Sequence, residues 1–407
     1  MDGRRAAPFY GWVIVAAVAL VLAIGVGITF YGVSIYLKDL TDGPDGFSLT
    51  IVSVATGSFL LVSGVAGLGV GALLERFEPR RVIIAGALVA AASIFALGRV
   101  QDEVQLVLVY GVLGAGFAAM SVIPASALLA SWFTRRRAVA MSVAFAGLPI
   151  GGAVMSPVIA ALVESLGVDG ASPWLALILL VGVIPVSLLL KADPARIGSW
   201  PDGVEVEATT GPAEGVTLTA AVRSTWFRLV TLALTLGMLS QLGTLTHLYN
   251  AVSEKLDAST ASLVVSVLAL ASLVGRALGG WALSRVVLSV VTVVLLLVQA
   301  GAIVILAVAP GIATVLLATV LFGLTMGNMQ ILQPLLLAHQ FGVRDFSRIL
   351  ARGNLFVMVG TAAGPMVVGA IHTASGDYRL ALLATAAPTA VAAVLMLYSR
   401  RFELTRT

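Results

Sequence analysis

The hydrophobic pattern of this chain consists of long apolar runs separated by short polar segments. A helix that crosses a bilayer needs about 20 apolar residues, and twelve runs approach or exceed that length. They cover residues 10–36, 48–74, 82–98, 104–131, 138–163, 173–190, 225–249, 259–283, 286–308, 311–339, 349–371 and 380–398. Strands of a membrane barrel would instead alternate apolar and polar positions over about ten residues. The pattern therefore predicts an all-α integral membrane protein with twelve transmembrane helices.

Composition supports a membrane protein and narrows the chemistry. The chain of 407 residues is 59% hydrophobic and 11% charged, whereas soluble domains carry about 25% charged residues. It contains no cysteine and three histidines, so disulfide scaffolds, thiolate metal sites and cysteine nucleophiles are excluded. The predicted spans hold no nucleophile–base pair, metal cluster or phosphate loop. We therefore expect no catalytic residues, no cofactor and no metal, and an enzyme is the least favoured class.

The distribution of basic residues predicts the orientation. With the N-terminus in the cytoplasm, 19 of the 24 Lys and Arg residues lie on the cytoplasmic side. Four lie on the other side, namely Lys38, Arg99, Lys255 and Arg379. Basic residues concentrate on the cytoplasmic side of membrane proteins. We therefore expect both termini in the cytoplasm and a plasma membrane location, the inner membrane in a bacterium, and we interpret the net charge of +4 as no sign of nucleic-acid binding.

An internal repeat predicts two halves. A shift of about 208 residues aligns segment 71–76 with segment 280–285, which share Gly, Leu and Arg at equal spacing. The same shift aligns Ser156-Pro157 with Gly364-Pro365. Segment 192–223 between the repeats is rich in acidic residues, Pro and Gly, a composition typical of linkers. The expected organisation is a six-helix half at 1–191, a cytoplasmic linker at 192–223 and a second six-helix half at 224–407.

Two motifs carry a family resemblance. Segment 71–81, GALLERFEPRR, resembles the loop signature of major facilitator transporters, with Glu75 in place of the usual Asp and Glu78 in place of the usual Gly. Segment 132–147, WFTRRRAVAMSVAFAG, resembles the fifth-span signature of monocarboxylate transporters. The linker and seventh span are similar to bacterial monocarboxylate and oxalate–formate type carriers. The resemblance implies the major facilitator fold, with the substrate site between two halves. It also assigns a conformational latch to Glu75, Arg76 and Arg80.

One charged residue is expected inside a span. All 20 Asp and Glu residues fall in loops or at helix ends, while Arg276 lies within the eighth span. Placing Arg at the centre of a membrane helix costs about 2.5–3.5 kcal/mol on insertion scales, which indicates a functional partner. Guanidinium binds carboxylate through two parallel hydrogen bonds, so we expect an anionic substrate. The alternative is an Arg that reaches the membrane surface or binds backbone carbonyls.

The family resemblance also implies a carboxylate anchor at Arg276. A single cation favours a monocarboxylate such as lactate, pyruvate or a short fatty acid, because the eleventh span lacks the Lys of oxalate-type carriers. Other polar or aromatic residues in the spans complete the expected substrate site. They are His247, Tyr31, Asn328, Phe117, Ser121 and Gln330.

The resemblance implies secondary active transport by alternating access with proton symport. The proton carrier is open between His247 and the substrate acid itself. An anion exchanger of the oxalate–formate type, an exporter of hydrophobic drugs and a membrane sensor are the alternatives. The expected partners are a small monocarboxylate anion, a proton and the lipid bilayer, with no nucleic acid, and we expect the monomer to be functional.

Overall fold

The computed structural model describes residues 9–32, 35–36, 40, 46–204, 215–283 and 285–403. Part of the first predicted span, Lys38, residues 205–214 of the predicted linker and both chain ends therefore lie outside the described residues. The described helices are α1 Gly11–Val26, which continues into a π-helical segment Gly27–Tyr31, α2 Leu49–Arg76, α3 Pro79–Leu97, α4 Glu103–Met120, α5 Val122–Trp132, α6 Arg137–Phe145, α7 Gly147–Leu188, α8 Leu218–Arg223, α9 Thr225–Lys255, α10 Ala258–Leu283, α11 Leu288–Val308, α12 Ile312–Phe341, α13 Phe346–Ser375 and α14 Tyr378–Ser399.

The helices confirm the predicted membrane architecture. Eleven helical runs of the described residues are long and apolar enough to span a membrane. One of them, Arg137–Leu188, has 52 residues, far more than the roughly 20 that one crossing needs. Gly167 divides this run because its φ of 66° and ψ of 172° are not helical. Glycine adopts such a positive φ without steric cost. The two parts correspond to the fifth and sixth predicted spans, so the expected all-α fold is confirmed.

Polar residues at the helix starts fix where the spans begin. The side chain of Ser48 accepts a hydrogen bond from the backbone N–H of Ile51 at 3.3 Å, and Asp102 accepts one from Gln105 at 2.8 Å. Ser224 caps the start of α9 in the same way. These bonds satisfy N–H groups that have no partner inside the helix, and they hold each helix start at a polar loop.

We call α1–α7 the N-terminal half and α9–α14 the C-terminal half. The two halves contact each other where α2 packs against α13 and where α6 packs against α10. A Cβ atom on Gly71 would lie 2.8 Å from Cβ of Ala351, and one on Gly280 would lie 2.9 Å from Cβ of Ser142. Glycine at the two repeat-related positions therefore allows the helices of opposite halves to approach closely. The predicted boundaries of the halves at 191 and 224 stay a prediction.

The linker binds both halves at one end of the bundle. We call this end, which carries the loops at 77–78, 133–136 and 342–345, the basic end. The Asp202 carboxylate accepts hydrogen bonds from the backbone N–H groups of Thr134, Arg135 and Arg136 at 3.0, 2.7 and 3.2 Å. The carboxylate of Asp345 accepts one from the Leu218 N–H at 2.8 Å. The linker thus joins the basic loop of the N-terminal half to that of the C-terminal half.

Candidate functional site

A cavity of about 160 Å³ lies between the two halves. We call it the central cavity. Four of the predicted substrate-binding residues line it, namely Tyr31, Phe117, Ser121 and Gln330. Helices α9, α12 and α13 supply the wall on the side of the C-terminal half. Most lining side chains are apolar, and no Asp, Glu, Lys or Arg of the described residues is among them.

Irregular backbone in α1 and α4 shapes the N-terminal wall of the central cavity. The α1 helix widens into the π-helical segment Gly27–Tyr31. Helix α4 ends at Met120, and Ser121, with φ −103° and ψ −136°, separates it from α5. Non-helical backbone at membrane depth is tolerated where protein or a cavity surrounds it. Val122 at the start of α5 therefore lies at the cavity wall, whereas Pro124 has no N–H and the Ala125 N–H donates to the Ser121 carbonyl at 3.3 Å.

Ser121 adds a polar group at this break. Its side chain lines the cavity and is 6% exposed, yet it forms no cap hydrogen bond with α5. The amino end of a helix carries a partial positive charge. This wall of the cavity consequently offers hydrogen-bond donors and a favourable potential for an anion.

Arg276 is buried at the contact between the halves. It is 5% exposed and is the only Asp, Glu, Lys or Arg in the described ranges that is classed as buried. Its Nη1 donates a hydrogen bond to the Phe145 carbonyl on α6, while its Nε has no hydrogen-bond partner in the described part of the chain. Arg276 lines a cleft between α6 and α10 that also contains Val139 and Trp281. It does not line the central cavity.

The sequence explains why the Phe145 carbonyl has no hydrogen-bond donor from its own helix. A helix carbonyl normally accepts a hydrogen bond from the N–H four residues later. The residue four positions after Phe145 is Pro149, which has no N–H. The carbonyl is left without its usual donor, and Arg276 from the other half takes its place.

Tyr31 connects Arg276 with the central cavity. The ring lines the cavity and lies close enough to Arg276 to interact with it electrostatically. A Cβ atom at Gly152 would lie 2.9 Å from the Tyr31 ring, so glycine leaves the space that the ring occupies. Arg276 therefore lies on the side of Tyr31 that faces away from the central cavity.

Asn328 and His247 lie outside the lining of the central cavity. Nδ2 of Asn328 donates to the carbonyls of Gly275 at 2.7 Å and Leu324 at 3.2 Å, which joins α12 to the turn of α10 that precedes Arg276. His247 contacts Tyr378 Oη through Nδ1 at 3.2 Å and the carbonyl of Pro365 through Nε2 at 3.1 Å. A carbonyl only accepts, so Nε2 carries a proton, whereas the tyrosine hydroxyl can donate to Nδ1 or accept from it. Both ring nitrogens therefore have partners within the C-terminal half.

The predicted latch residues lie at the basic end. Glu75 forms a salt bridge of 3.5 Å with Arg348 of α13, so this contact joins the two halves. The carboxylate of Glu78 accepts a hydrogen bond from Arg196 and lies 3.6 Å from Arg80. The hydrogen bond from Arg196 lowers the pKa of Glu78, and nearby basic residues lower it further. Arg76 is exposed at the end of α2.

The structure adds residues that the sequence interpretation did not select. The Phe145 carbonyl, left without a helix donor by Pro149, binds Arg276. Gln241 lines the central cavity and donates to Gln299. Polar residues in apolar spans were the available signal for the two glutamines. The proline signalled a free carbonyl, although it could not indicate which donor would bind it.

Comparison with known families identifies the class of protein. Residues 15–342 and 255–406 match the sequence profile of the Major Facilitator Superfamily. The chain belongs to this family. Its members are transporters, so this protein is a multi-pass membrane transporter and not an enzyme.

Individual relatives are transporters too, and their names describe different kinds of transporter. The chain is 27% identical over 315 residues to the MFS transporter asaE of Aspergillus flavus, covering 76% of this chain and 68% of that protein. It is 26% identical over 231 residues to Monocarboxylate transporter 13 of Bos taurus, covering 54% and 52%. The solved structure of the transporter FucP in the outward conformation superposes with a TM-score of 0.73 at 16% identity, covering 97% and 99%, and so has the same fold.

Proposed function

We propose that this transporter carries small monocarboxylates, such as lactate, pyruvate or a short fatty acid, by alternating access. The observation that supports this proposal most is Arg276, a buried cation with no carboxylate of a described residue within salt-bridge distance. Guanidinium has five N–H donors, and only one of them bonds within the described residues. Because Arg276 does not line the central cavity, a substrate carboxylate there reaches the other N–H groups only when the Tyr31 side chain moves aside.

The central cavity supports the same class of substrate. The amino end of α5 at Val122 and the hydroxyl of Ser121, which makes no cap hydrogen bond with α5, suit an anion, as half-helix amino ends do in other transporters. Apolar lining residues such as Phe30, Phe117 and Met326 suit the aliphatic body of the acid. The similarity to a monocarboxylate transporter over about half of its length supports the assignment further.

For energy coupling we propose proton symport, in which one proton moves with each carboxylate that binds Arg276. His247 lies outside the lining of the central cavity, so its role as the proton carrier stays a prediction. Moving one proton with one anion avoids work against the membrane potential, about 2.3 kcal/mol per charge at 100 mV. We further propose that both termini lie in the cytoplasm, on the distribution of basic residues, while the inner-membrane location and the functional monomer stay predictions.

Uptake by purified protein in liposomes tests the assignment of Arg276. We expect Arg276→Ala to abolish uptake of labelled lactate, and Arg276→Lys to leave less than about one tenth, because ammonium lacks the planar fork. The control is Arg352→Ala, an exposed arginine of α13, which should transport at the wild-type rate. Uptake by Arg276→Ala near the wild-type rate would contradict the anchor role.

A gradient experiment separates symport from exchange. With an acidic exterior and no internal anion, symport predicts accumulation of lactate that a protonophore abolishes. Exchange predicts no response to the pH gradient and stimulation by internal carboxylate. The second result would replace proton symport by the oxalate–formate type of exchange.

A further inference from the structure

A chain of hydrogen bonds in the C-terminal half ends at the central cavity. It begins at Gln299 of α11, which is fully buried. Nε2 of Gln299 donates to the carbonyl of Gly237 at 3.0 Å and lies 3.4 Å from Oγ1 of Thr389. Because a backbone carbonyl can only accept, the amide nitrogen of Gln299 must lie on this side. The amide oxygen of Gln299 must therefore point the other way.

The oxygen of Gln299 determines the orientation of a second glutamine. Gln241 of α9 donates from its Nε2 to this oxygen at 3.1 Å. The side chain of Gln241 is 4% exposed and lines the central cavity. Its own amide oxygen takes part in none of the hydrogen bonds among the residues that the structure describes, and it is accessible from the cavity rather than one of the fully buried unpartnered atoms. The Gly237 carbonyl thus makes Gln241 present an acceptor to the cavity, and the order of donors and acceptors allows no amide flip.

A second acceptor lines the same cavity. Oε1 of Gln330 is buried and has no hydrogen-bond partner within the described ranges. The residue four positions later is Pro334, which lacks the N–H that would bind the Gln330 backbone carbonyl. Gln333 contributes the opposite type of group, an unpartnered buried amide nitrogen. The C-terminal wall, which also contains Asn354 and Thr361, therefore combines acceptors with donors and carries no charge among the described residues.

Unpaired polar groups of this kind need a partner. A buried acceptor without a hydrogen bond is unfavourable, and a polar group inside a membrane protein marks a substrate pathway by default. The oxygen of Gln241 cannot bind the carboxylate of an anionic substrate, because both groups only accept. It can bind a hydroxyl group, which donates.

We propose that Gln241, oriented by Gln299, accepts a hydrogen bond from a substrate hydroxyl, so that the carrier selects hydroxy-monocarboxylates over acids of the same size without a hydroxyl. This inference rests on the proposed monocarboxylate transport and names its substrate class. Lactate satisfies the Gln241 oxygen, whereas pyruvate, with a keto group, leaves it unpaired. A site built to bind a hydroxyl rejects an analogue without one because its own polar group then loses its partner.

The test compares hydroxy and keto acids on the purified full-length chain in liposomes. Uptake of lactate is measured against pyruvate, and uptake of 3-hydroxybutyrate against butyrate, which places the hydroxyl at a second position. We expect the wild type to prefer at least one hydroxy acid by about tenfold or more in kcat/KM, in line with hydrogen-bonding sites. Gln241→Met keeps the length of the side chain and removes the acceptor. It should bring the ratio of hydroxy to non-hydroxy acid to about one, while uptake of the acid without a hydroxyl stays within about twofold of the wild type.

A second variant tests the positioning role of Gln299. Gln299→Met removes the acceptor that orders Gln241, so the amide can turn and the preference should fall while both acids are still transported. A merely structural role would lower both uptake rates together and leave their ratio unchanged. The control is Gln105→Met, an exposed glutamine at the start of α4, which should keep both rates and their ratio.

The outcomes separate the hydroxyl preference from the proposed function. Equal efficiency for hydroxy and non-hydroxy acids in the wild type, or an unchanged ratio in Gln241→Met, would overturn the hydroxyl preference alone. Transport of none of the four acids would overturn the monocarboxylate proposal and the hydroxyl preference together. If Gln241→Met does not fold, the wild-type ratios of the two pairs still decide between preference and no preference.

Discussion

Replacing Arg276 by methionine should leave the protein folded and remove its response to substrate. The hydrogen bond to Phe145 has a charged donor, and its loss costs about 1.5–3 kcal/mol. The same substitution removes a buried guanidinium whose placement in a membrane helix costs about 2.5–3.5 kcal/mol. The two effects oppose each other, so we expect the free energy of unfolding to change by about 1–2 kcal/mol at most.

The substrate effect has a different size. A ligand present at 100 times its Kd stabilises the folded protein by about 2.7 kcal/mol. We expect lactate to raise the apparent melting temperature of the wild type in detergent and to leave that of Arg276→Met unchanged. Arg352→Met, at an exposed position of α13, is the matched control and should keep the full lactate response.

Two results would refute this reasoning. Loss of much more than about 3 kcal/mol of stability in Arg276→Met would mean that the bond to Phe145 is mainly structural. A full lactate response in the same variant would mean that the carboxylate binds without the guanidinium. Melting curves recorded with and without lactate distinguish both results from the expected one.

Three further predictions concern other contacts. Glu75→Gln removes the exposed ion pair to Arg348, which is worth about 0–1 kcal/mol, so the uptake rate should change by less than about fivefold. The double variant Glu75→Arg with Arg348→Glu exchanges the two charges and should restore the wild-type rate. A failure of the exchanged pair to restore uptake would contradict a latch. Pro149→Ala supplies an N–H to the Phe145 carbonyl that positions the guanidinium, so the apparent Kd for lactate should rise, by up to about tenfold; an unchanged Kd would contradict this positioning role. Glu78→Gln should lower the melting temperature at neutral pH. The difference in melting temperature from the wild type should shrink as the pH falls below 4.5, the ordinary pKa of Glu, because the lowered pKa stabilises the fold only while the carboxylate bound to Arg196 is ionised. An equal difference at pH 7 and pH 4 would contradict this role of the ionised carboxylate.

The fold could be predicted from the sequence because its signal is local. Each span is an apolar run, and a run needs no information about its neighbours to be recognised as a helix. The fifth span was predicted to end at 163 and the sixth to begin at 173, and Gly167 provides the break between them. Four cavity residues were selected because they are polar or aromatic residues within predicted spans.

The partners of those residues could not be predicted in the same way. Arg276 and Phe145 are 131 positions apart, and Gln241 and Gln299 are 58 positions apart. Their contacts depend on which helices are neighbours and on how each helix is rotated about its axis. The sequence therefore identified the buried cation without its direction, and it could not show that His247 contacts Tyr378 and Pro365 outside the lining of the central cavity.

Arginine suits position 276 because the side chain there must bind two acceptors, the Phe145 carbonyl and the substrate carboxylate. Without substrate, a buried cation needs an acceptor inside the membrane, and the carbonyl that Pro149 leaves free provides one from the opposite half. With substrate, the same side chain must also bind a carboxylate. Guanidinium has five donors in a fixed plane, so Nη1 can keep the carbonyl while other N–H groups bind the carboxylate. An ammonium group has three donors around a single point and no such plane. Arginine can consequently link the substrate to α6 of the N-terminal half while its own backbone belongs to α10.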